Sequence, residues 1–386
     1  MKSSAIPYGR QEITEDDIQA VVKTLKSDFL TQGPKIAEFE KAFAEYCGAK
    51  YAVAVSNGTA ALHLSTMALG VKAGDKVITT PNTFAASANC VLYCGGEVVF
   101  CDIDPVTFLL DLNKLEELLQ FSKPGTYKGV IPVDFAGYPI DAEKLRGIAE
   151  KYNLWVIEDA CHAPGAFFIN TKGEKQICGN NVYTDLTVFS FHPVKHIATG
   201  EGGMITTNNL ELYEKLTLFR THGITKNPDL LLENHGGWYY EMQELGYNYR
   251  LTDFQAALGI SQLNRADDGL VKRNEIARIY DKAFSDLPIV TPRVEARILH
   301  AFHLYVIQTP NRLDLYNYLR EKGIFTQVHY IPVHLMPYYR EQGWAKGDMP
   351  ISEAYYNQCL SLPMFPSLTG EEQEYVIRVI REYFGK

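Results

Sequence analysis

Between Tyr51 and about Thr207, short apolar runs alternate with stretches of helical periodicity. The apolar runs are Tyr51–Val55, Lys76–Thr79, Glu97–Cys101, Gly129–Val133, Leu154–Glu158 and Leu186–Phe191. Between them, Thr59–Leu69, Phe84–Tyr93, Leu112–Leu119 and Asp141–Tyr152 carry helix-like patterns. Strands alternating with helices predict βαβ units. The expected fold class is therefore α/β, a mostly parallel sheet flanked by helices on both faces.

The pattern changes near residue 250. Thr252–Phe284 reads as one long amphipathic helical stretch. Strand-like runs His303–Gln308 and Phe325–Tyr330 follow, with helices over Leu313–Lys322 and Glu371–Phe384. This predicts a large domain over 1–250, including an N-terminal segment, and a smaller α+β domain over 251–386. Thr14 and Asp141 stand where helices open, and Gly70, Gly95 and Gly96 where helices stop. Pro228–Trp238 mixes polar, apolar and aromatic residues and reads as a mobile loop.

Composition narrows the functional classes. The 386 residues carry a formal net charge of −9, which argues against nucleic-acid or anionic-membrane partners. A local basic pocket for a phosphorylated ligand stays open. No apolar run is long enough to span a bilayer. Met1–Glu15 lacks the apolar core of a secretory signal, so the expected location is cytoplasmic. The seven cysteines have no framework spacing and suit reduced thiols. Cys90, Cys94 and Cys101 are too few and too far apart for a zinc site, and no metal is expected.

Four segments carry candidate chemistry. In Ser190-Phe191-His192-Pro193-Val194-Lys195, an apolar run delivers a serine and then a lysine, with Gly200, Gly202 and Gly203 close behind. Lysine can form a Schiff base with an aldehyde cofactor, although most loop lysines are merely solvated. In Leu154–His162 an apolar strand ends in Glu158 and Asp159. An aspartate at a strand's carboxyl end can pair with a protonated pyridine nitrogen or simply cap the next helix. His162 can stack on such a ring, orient the aspartate, or be a core histidine. Val55–Leu62 takes a strand through Gly58 into a helix that opens with Thr59, which is a phosphate cradle or a capped helix. Leu245–Asp253 places Asn248 and Arg250 at the domain junction, where a ligand site or a surface loop would fit.

Together these segments resemble the DegT/DnrJ/EryC1/StrS family of sugar aminotransferases, within the fold type I pyridoxal-phosphate enzymes. The resemblance runs from Tyr8 to the last helix. It is carried by Glu158-Asp159-x-x-His162, Ser190-Phe191-His192-x-x-Lys195, Gly200–Gly203, Phe219–Gly223 and Gly246–Leu251. It implies pyridoxal 5′-phosphate as cofactor, with Lys195 as the lysine that holds it and Asp159 as the partner of its pyridine nitrogen. It further implies phosphate contacts from Gly58, Thr59 and Ser190, and Phe84 stacked on the ring. Asn248 would be a phosphate ligand lent across the interface of a homodimer.

Within the family, Phe29–Gly33, Thr80–Phe84, Val133–Gly137 and Gln327–Pro332 most resemble members of pseudaminic acid biosynthesis. Those aminate a UDP-linked 4-keto-6-deoxy-N-acetylhexosamine. By that likeness Tyr8, Asp28, Phe29, Leu30, Thr31, Arg250, His329 and Tyr330 would meet the nucleotide-sugar, with L-glutamate as amino donor. Alternatives are a dTDP- or GDP-linked keto-sugar, or a non-catalytic nucleotide-sugar binder. His196 and Ala198 depart from residues common in the family. A sugar dehydratase of the same fold would replace Lys195 with histidine.

Overall fold

The computed structural model describes residues 5–386. Met1–Ser4, which begin the segment read as lacking a secretory core, lie outside it. The strands are β1 Ile6–Pro7, β2 Tyr51–Val55, β3 Lys76–Thr79, β4 Glu97–Phe100, β5 Tyr127–Ile131, β6 Trp155–Asp159, β7 Phe167–Ile169, β8 Lys175–Ile177, β9 Leu186–Ser190 and β10 Gly203–Thr207. Helices α1 Glu15–Leu25, α2 Pro34–Cys47, α3 Gly58–Ala68, α4 Ala86–Tyr93, α5 Leu112–Gln120, α6 Ala142–Tyr152 and α7 Leu210–Arg220 accompany them. Seven strands form one sheet in the order β2-β10-β9-β6-β5-β3-β4. Neighbours from β9 to β4 pair in parallel, whereas β10 is antiparallel to both β2 and β9.

Strand pleating distributes the core. Val53, Val55, Ile131, Ile157, Leu186, Val188 and Ile205 pack on one face with α3, α4 and α7. On the other, Ala52, Ala54, Phe189 and Met204 meet α2, while Ile78, Val130 and Val156 meet α5 and α6. The period of two along each strand thus serves two helical layers, as a doubly covered sheet requires.

The expected helix over Thr252–Phe284 is two helices, α8 Asp253–Leu263 and α9 Ala266–Phe284. Arg265 leaves helical geometry at φ −121°. Its guanidinium instead donates to Asp17 and to the Glu12 carbonyl, joining the break to the N-terminal segment. The expected strand over Phe325–Tyr330 is only β15 Ile324–Phe325, which pairs with β1. Beyond it, Gln327 bridges Ser361 and the chain turns inward at His329 and Tyr330. The short β13 Ile298–Leu299 pairs antiparallel with β7, and the remaining C-terminal core packs α9 with β14 Tyr305–Gln308, β16 Cys359–Leu362, and helices over Arg312–Glu321 and Gly370–Tyr383. The 228–238 stretch lies between β11 Ile224–Thr225 and β12 Glu241–Met242, with Leu232 and Trp238 exposed. All seven cysteines are free thiols. Among the described residues no helix is long and apolar enough to cross a membrane.

Phe43 anchors α2 to the sheet. It is fully buried, with ring centroids 4.9 Å from Phe189, 5.4 Å from Phe191 and 6.1 Å from Phe39. Phe43→Ala is expected to cost roughly 3–5 kcal/mol, read as a lower urea midpoint at unchanged slope. A midpoint equal to the parent's would show that this aromatic cluster contributes little.

Candidate active site

The carboxyl ends of the parallel strands open onto one cavity of about 490 Å³. The loops after β2, β3, β6 and β9 supply most of its wall, as expected for a ligand site on a parallel sheet. Pleating decides which side chains enter. Ile157 faces α3 and α4, so Asp159, two residues on, faces the same way. On β9, Val188 and Ser190 repeat that relation. Glu158 points to the opposite face, where it meets Asp134 and Cys178. Thr187 donates to Glu158 at 2.7 Å. Burial raises the carboxyl pKa values of both Asp134 and Glu158. The adjacent acids at the strand end therefore have separate surroundings.

Asp159 is held by two donors. The Ser87 hydroxyl of α4 donates at 2.6 Å, and the Cys161 N–H at 3.2 Å. Ser87 is itself 2.8 Å from the Thr83 hydroxyl. These contacts fix a carboxylate that is 5% exposed. His162 does not orient it. The Ala136 N–H donates to His162 Nδ1 at 3.2 Å, which leaves the ring proton on Nε2, 3.2 Å from the Tyr330 hydroxyl. Burial drives the His162 pKa far down, and the nearby Lys195 charge adds to this. The ring is neutral at physiological pH.

The turn into α3 forms the cradle. Asn57, rather than Thr59, caps the helix by accepting the Ala60 N–H at 2.8 Å. Gly58 and Thr59 line the cavity, and as the first two residues of α3 their N–H groups precede any helical acceptor. A Cβ on Gly58 would lie 3.0 Å from Ser190 Cβ, so the turn runs close against that serine. A Cβ on Gly203 would come within 2.6 Å of the Asn57 backbone. This gives one physical reason for a glycine after the lysine segment.

Lys195 lines the cavity from the loop after β9. Desolvation holds its ammonium pKa below the usual lysine range, although Cys161 and Asp159 pull the other way. Phe84 stands at the lip, 64% exposed and 6.5 Å from the Tyr330 ring. Tyr8, His329 and Tyr330 close the side formed by the N- and C-terminal segments. Burial lowers the His329 pKa to about 3, so this wall carries no titrating imidazolium at neutral pH.

One chain therefore brings together Tyr8, Gly58, Thr59, Phe84, Asp159, His162, Ser190, Lys195, His329 and Tyr330. It does not bring Asp28, Phe29, Leu30, Thr31, Asn248 or Arg250 into that cavity. Asn248 is exposed and bridges Thr221, Thr31 bridges Thr252, and Arg250 lines a different hollow beside Glu40 and Arg220. Sequence reasoning passed over Ser87 and His303. Ser87 is four residues after Thr83 at a helix start, a spacing that could have pointed to a shared partner. The His303 ring lies 4.3 Å from His162, with no local sequence signal.

Comparison with known proteins places this geometry. The description of the DegT/DnrJ/EryC1/StrS aminotransferase family matches residues 11–381. The spore coat polysaccharide biosynthesis protein SpsC of Bacillus subtilis is 41% identical, over 98% of this chain and 96% of its own length. The UDP-4-amino-4,6-dideoxy-N-acetyl-beta-L-altrosamine transaminase of Campylobacter jejuni serotype O:2 is 38% identical, over 96% of this chain and 95% of its own. Among solved structures, Helicobacter pylori PseC, an aminotransferase involved in the biosynthesis of pseudoaminic acid, superposes with a TM-score of 0.89. That match has 30% identity and covers 99% of this chain and 100% of PseC. With the lysine, aspartate and cradle on one cavity, the chain belongs to the DegT/DnrJ/EryC1/StrS family and is a pyridoxal 5′-phosphate-dependent sugar aminotransferase.

Proposed function

We propose that the chain moves the amino group of L-glutamate to the C-4 keto group of a UDP-linked 4-keto-6-deoxy-N-acetylhexosamine. The observation that carries the reading is the convergence of Lys195, Asp159, Ser190 and the Gly58–Thr59 turn on one cavity. The substrate rests on the Campylobacter and Helicobacter relatives and on the Tyr8, His329 and Tyr330 wall.

The residues fit the cofactor. The glycine turn against Ser190 suits a phosphate, and Asp159 is a buried carboxylate for a pyridinium. When bound, pyridoxal 5′-phosphate supplies an aldehyde for amino groups and an electron sink for the departing α-proton. The protein does the rest. Asp159, fixed by Ser87 and the Cys161 N–H, keeps a proton on the ring nitrogen. Lys195 Nζ takes the α-proton of the donor and returns a proton at the sugar's fourth carbon. Desolvation keeps part of its amine neutral for that exchange.

His162 and Tyr330 brace the wall through their shared hydrogen bond. Asn248 faces outward, and a second copy would lend it to the cofactor phosphate of its neighbour. Asp28–Thr31 and Arg250 would reach the nucleotide-sugar from that same direction. The large unit over 1–250 would bind the cofactor and the unit over 251–386 would close the substrate side, with the reaction in the cytoplasm.

The substrate is tested by mixing the amine form of the cofactor–enzyme with 4-keto UDP-, dTDP- and GDP-sugars. Return of the lysine-bound absorbance is expected with the UDP-linked 4-keto-6-deoxy-N-acetylhexosamine. A response confined to another nucleotide would reassign the substrate, and silence throughout would end the sugar reading.

Lys195→Ala should abolish turnover, while Asp159→Asn should slow it about 10²–10⁴-fold and still retain cofactor. Mixing Lys195→Ala with Asn248→Ala subunits should restore activity through hybrid dimers. Failure to complement would refute the shared site.

Cofactor capture by the apoprotein needs a neutral lysine amine. Its rate should rise with pH through a midpoint below the ordinary lysine value of about 10.4 and fall away on the acid side of that midpoint. A midpoint at or above 10.4 would contradict the desolvated setting.

A further inference from the structure

The Asp134–Glu158 pair lies behind β6, outside the cavity wall. Asp134 is fully buried and Glu158 nearly so. Oxygens of the two carboxyls and the Cys178 Sγ all lie within 4.8 Å of one another. The titratable groups facing the pair are the Cys178 thiol, Cys47 at the end of α2 and Cys161 after β6. Asp159 stands on the other face of the strand. None of these is a cation, and among the described residues no basic side chain pairs with either acid. Two ionised carboxylates this close in a dry setting would repel with nothing to offset them.

The hydrogen bonds around the pair are one short. The Ile140 N–H donates to Asp134 Oδ1 at 2.9 Å. The Thr187 hydroxyl and the Gly179 N–H donate to Glu158 Oε2, at 2.7 Å and 3.4 Å. Asp134 Oδ2 receives no donor and is closed to water. An acid proton on that oxygen needs no space, and it turns an unmet acceptor into a donor towards Glu158. Burial raises the pKa of both acids, and the Glu158 charge raises Asp134 further. Hydrogen bonds from Thr187 and Asp134 draw Glu158 back down, so the proton belongs to Asp134. A carboxyl kept neutral by a dry site can serve as a donor at neutral pH.

The backbone joins this pair to the active site. The Asp134 N–H donates to the Asp159 carbonyl at 3.0 Å, and the Asp159 N–H to the Pro132 carbonyl at 2.9 Å. The Ile140 bond to Asp134 closes the loop over 134–140 on itself. Within that loop Ala136 takes a left-handed φ of 60°, and its N–H reaches His162. Such a backbone at a residue other than glycine persists only where its surroundings hold it.

We propose that Asp134 is a resident protonated acid whose one proton, donated to Glu158, positions Asp159 and His162 from behind β6. Neither acid touches the cavity, so both are positioning residues. The inference concerns the aminotransferase site itself and does not depend on which sugar or amino donor it takes.

The test compares the cofactor-loaded parent with Asp134→Asn, Glu158→Gln and Asp134→Ala. Either amide donates across the pair without needing an acid proton, and alanine donates nothing. In the unfolded chain Asp134 ionises near about 3.9, whereas the native acid keeps its proton well above that. Its contribution to stability is complete below about pH 3.9 and is lost as pH rises towards the native value. The amide variants have no such loss. Their urea midpoints should therefore climb relative to the parent's between about pH 5 and about pH 9. A difference that stays flat or falls with pH in the amide variants would overturn the shared proton. The pH midpoint of the lysine-bound cofactor absorbance reads the positioning. Asp134→Asn should keep the parent's midpoint, and Asp134→Ala should shift it by about one unit or more. Glu158→Ala, which removes the acceptor, reads the same shift where Asp134→Ala does not fold. An alanine midpoint equal to the parent's, or an equal shift in the asparagine variant, would overturn the positioning role. No sugar or amino donor enters these measurements, so their outcome is separate from that of the keto-sugar panel.

Discussion

Asp159 and Ser190 end neighbouring parallel strands with their side chains on the same face, and the cavity depends on that pairing. A parallel sheet presents the ends of several strands along one edge, and pleating sends alternate residues to opposite faces. A shift of one residue in β6 would exchange Asp159 with Glu158 and put the wrong carboxylate under α3. Register is secured by burial on both faces. Ile157 is committed to the α3–α4 layer and Val156 to the α5–α6 layer, so slippage would mismatch both cores.

The site carries costs that the rest of the fold absorbs. Lys195 is desolvated, and His162, His303 and His329 are neutral rings in an enclosed wall. The Asp134–Glu158 pair is buried directly behind the strand that presents Asp159. Each feature sacrifices solvation that an apolar filling would not require. The tightly packed aromatic and aliphatic clusters on both faces supply the compensating burial.

Much of this was legible in the sequence. The alternation from Tyr51 to Thr207 gave the sheet and its helices because period-two and period-3.6 patterns differ so strongly. Lys195, Asp159, Ser190 and Gly58 could be placed because each follows an apolar run at its carboxyl end. The break at Arg265 was not legible, since it depends on Asp17 and the Glu12 carbonyl, far away in the chain. The same applies to His162. Its partners Ala136 and Tyr330 come from two loops that only folding joins, so its part as a wall brace was hidden. Asp28–Thr31, Asn248 and Arg250 could be named by likeness, but one chain's packing does not bring them to that cavity.

The short strand β1 does more than tidy the start of the fold. It pairs in parallel with β15, and Tyr8 follows it directly, with its ring 5.2 Å from His329. The Met364 N–H donates to the Tyr8 carbonyl at 2.9 Å, tying the segment down a second time. The segment from β1 to Tyr8 is thus packed as part of the last third of the chain. Any displacement of that third would carry Tyr8, His329 and Tyr330 as one piece. That wall of the cavity is built from the N- and C-terminal segments together, whereas the aspartate and lysine come from the central sheet and the loop after it.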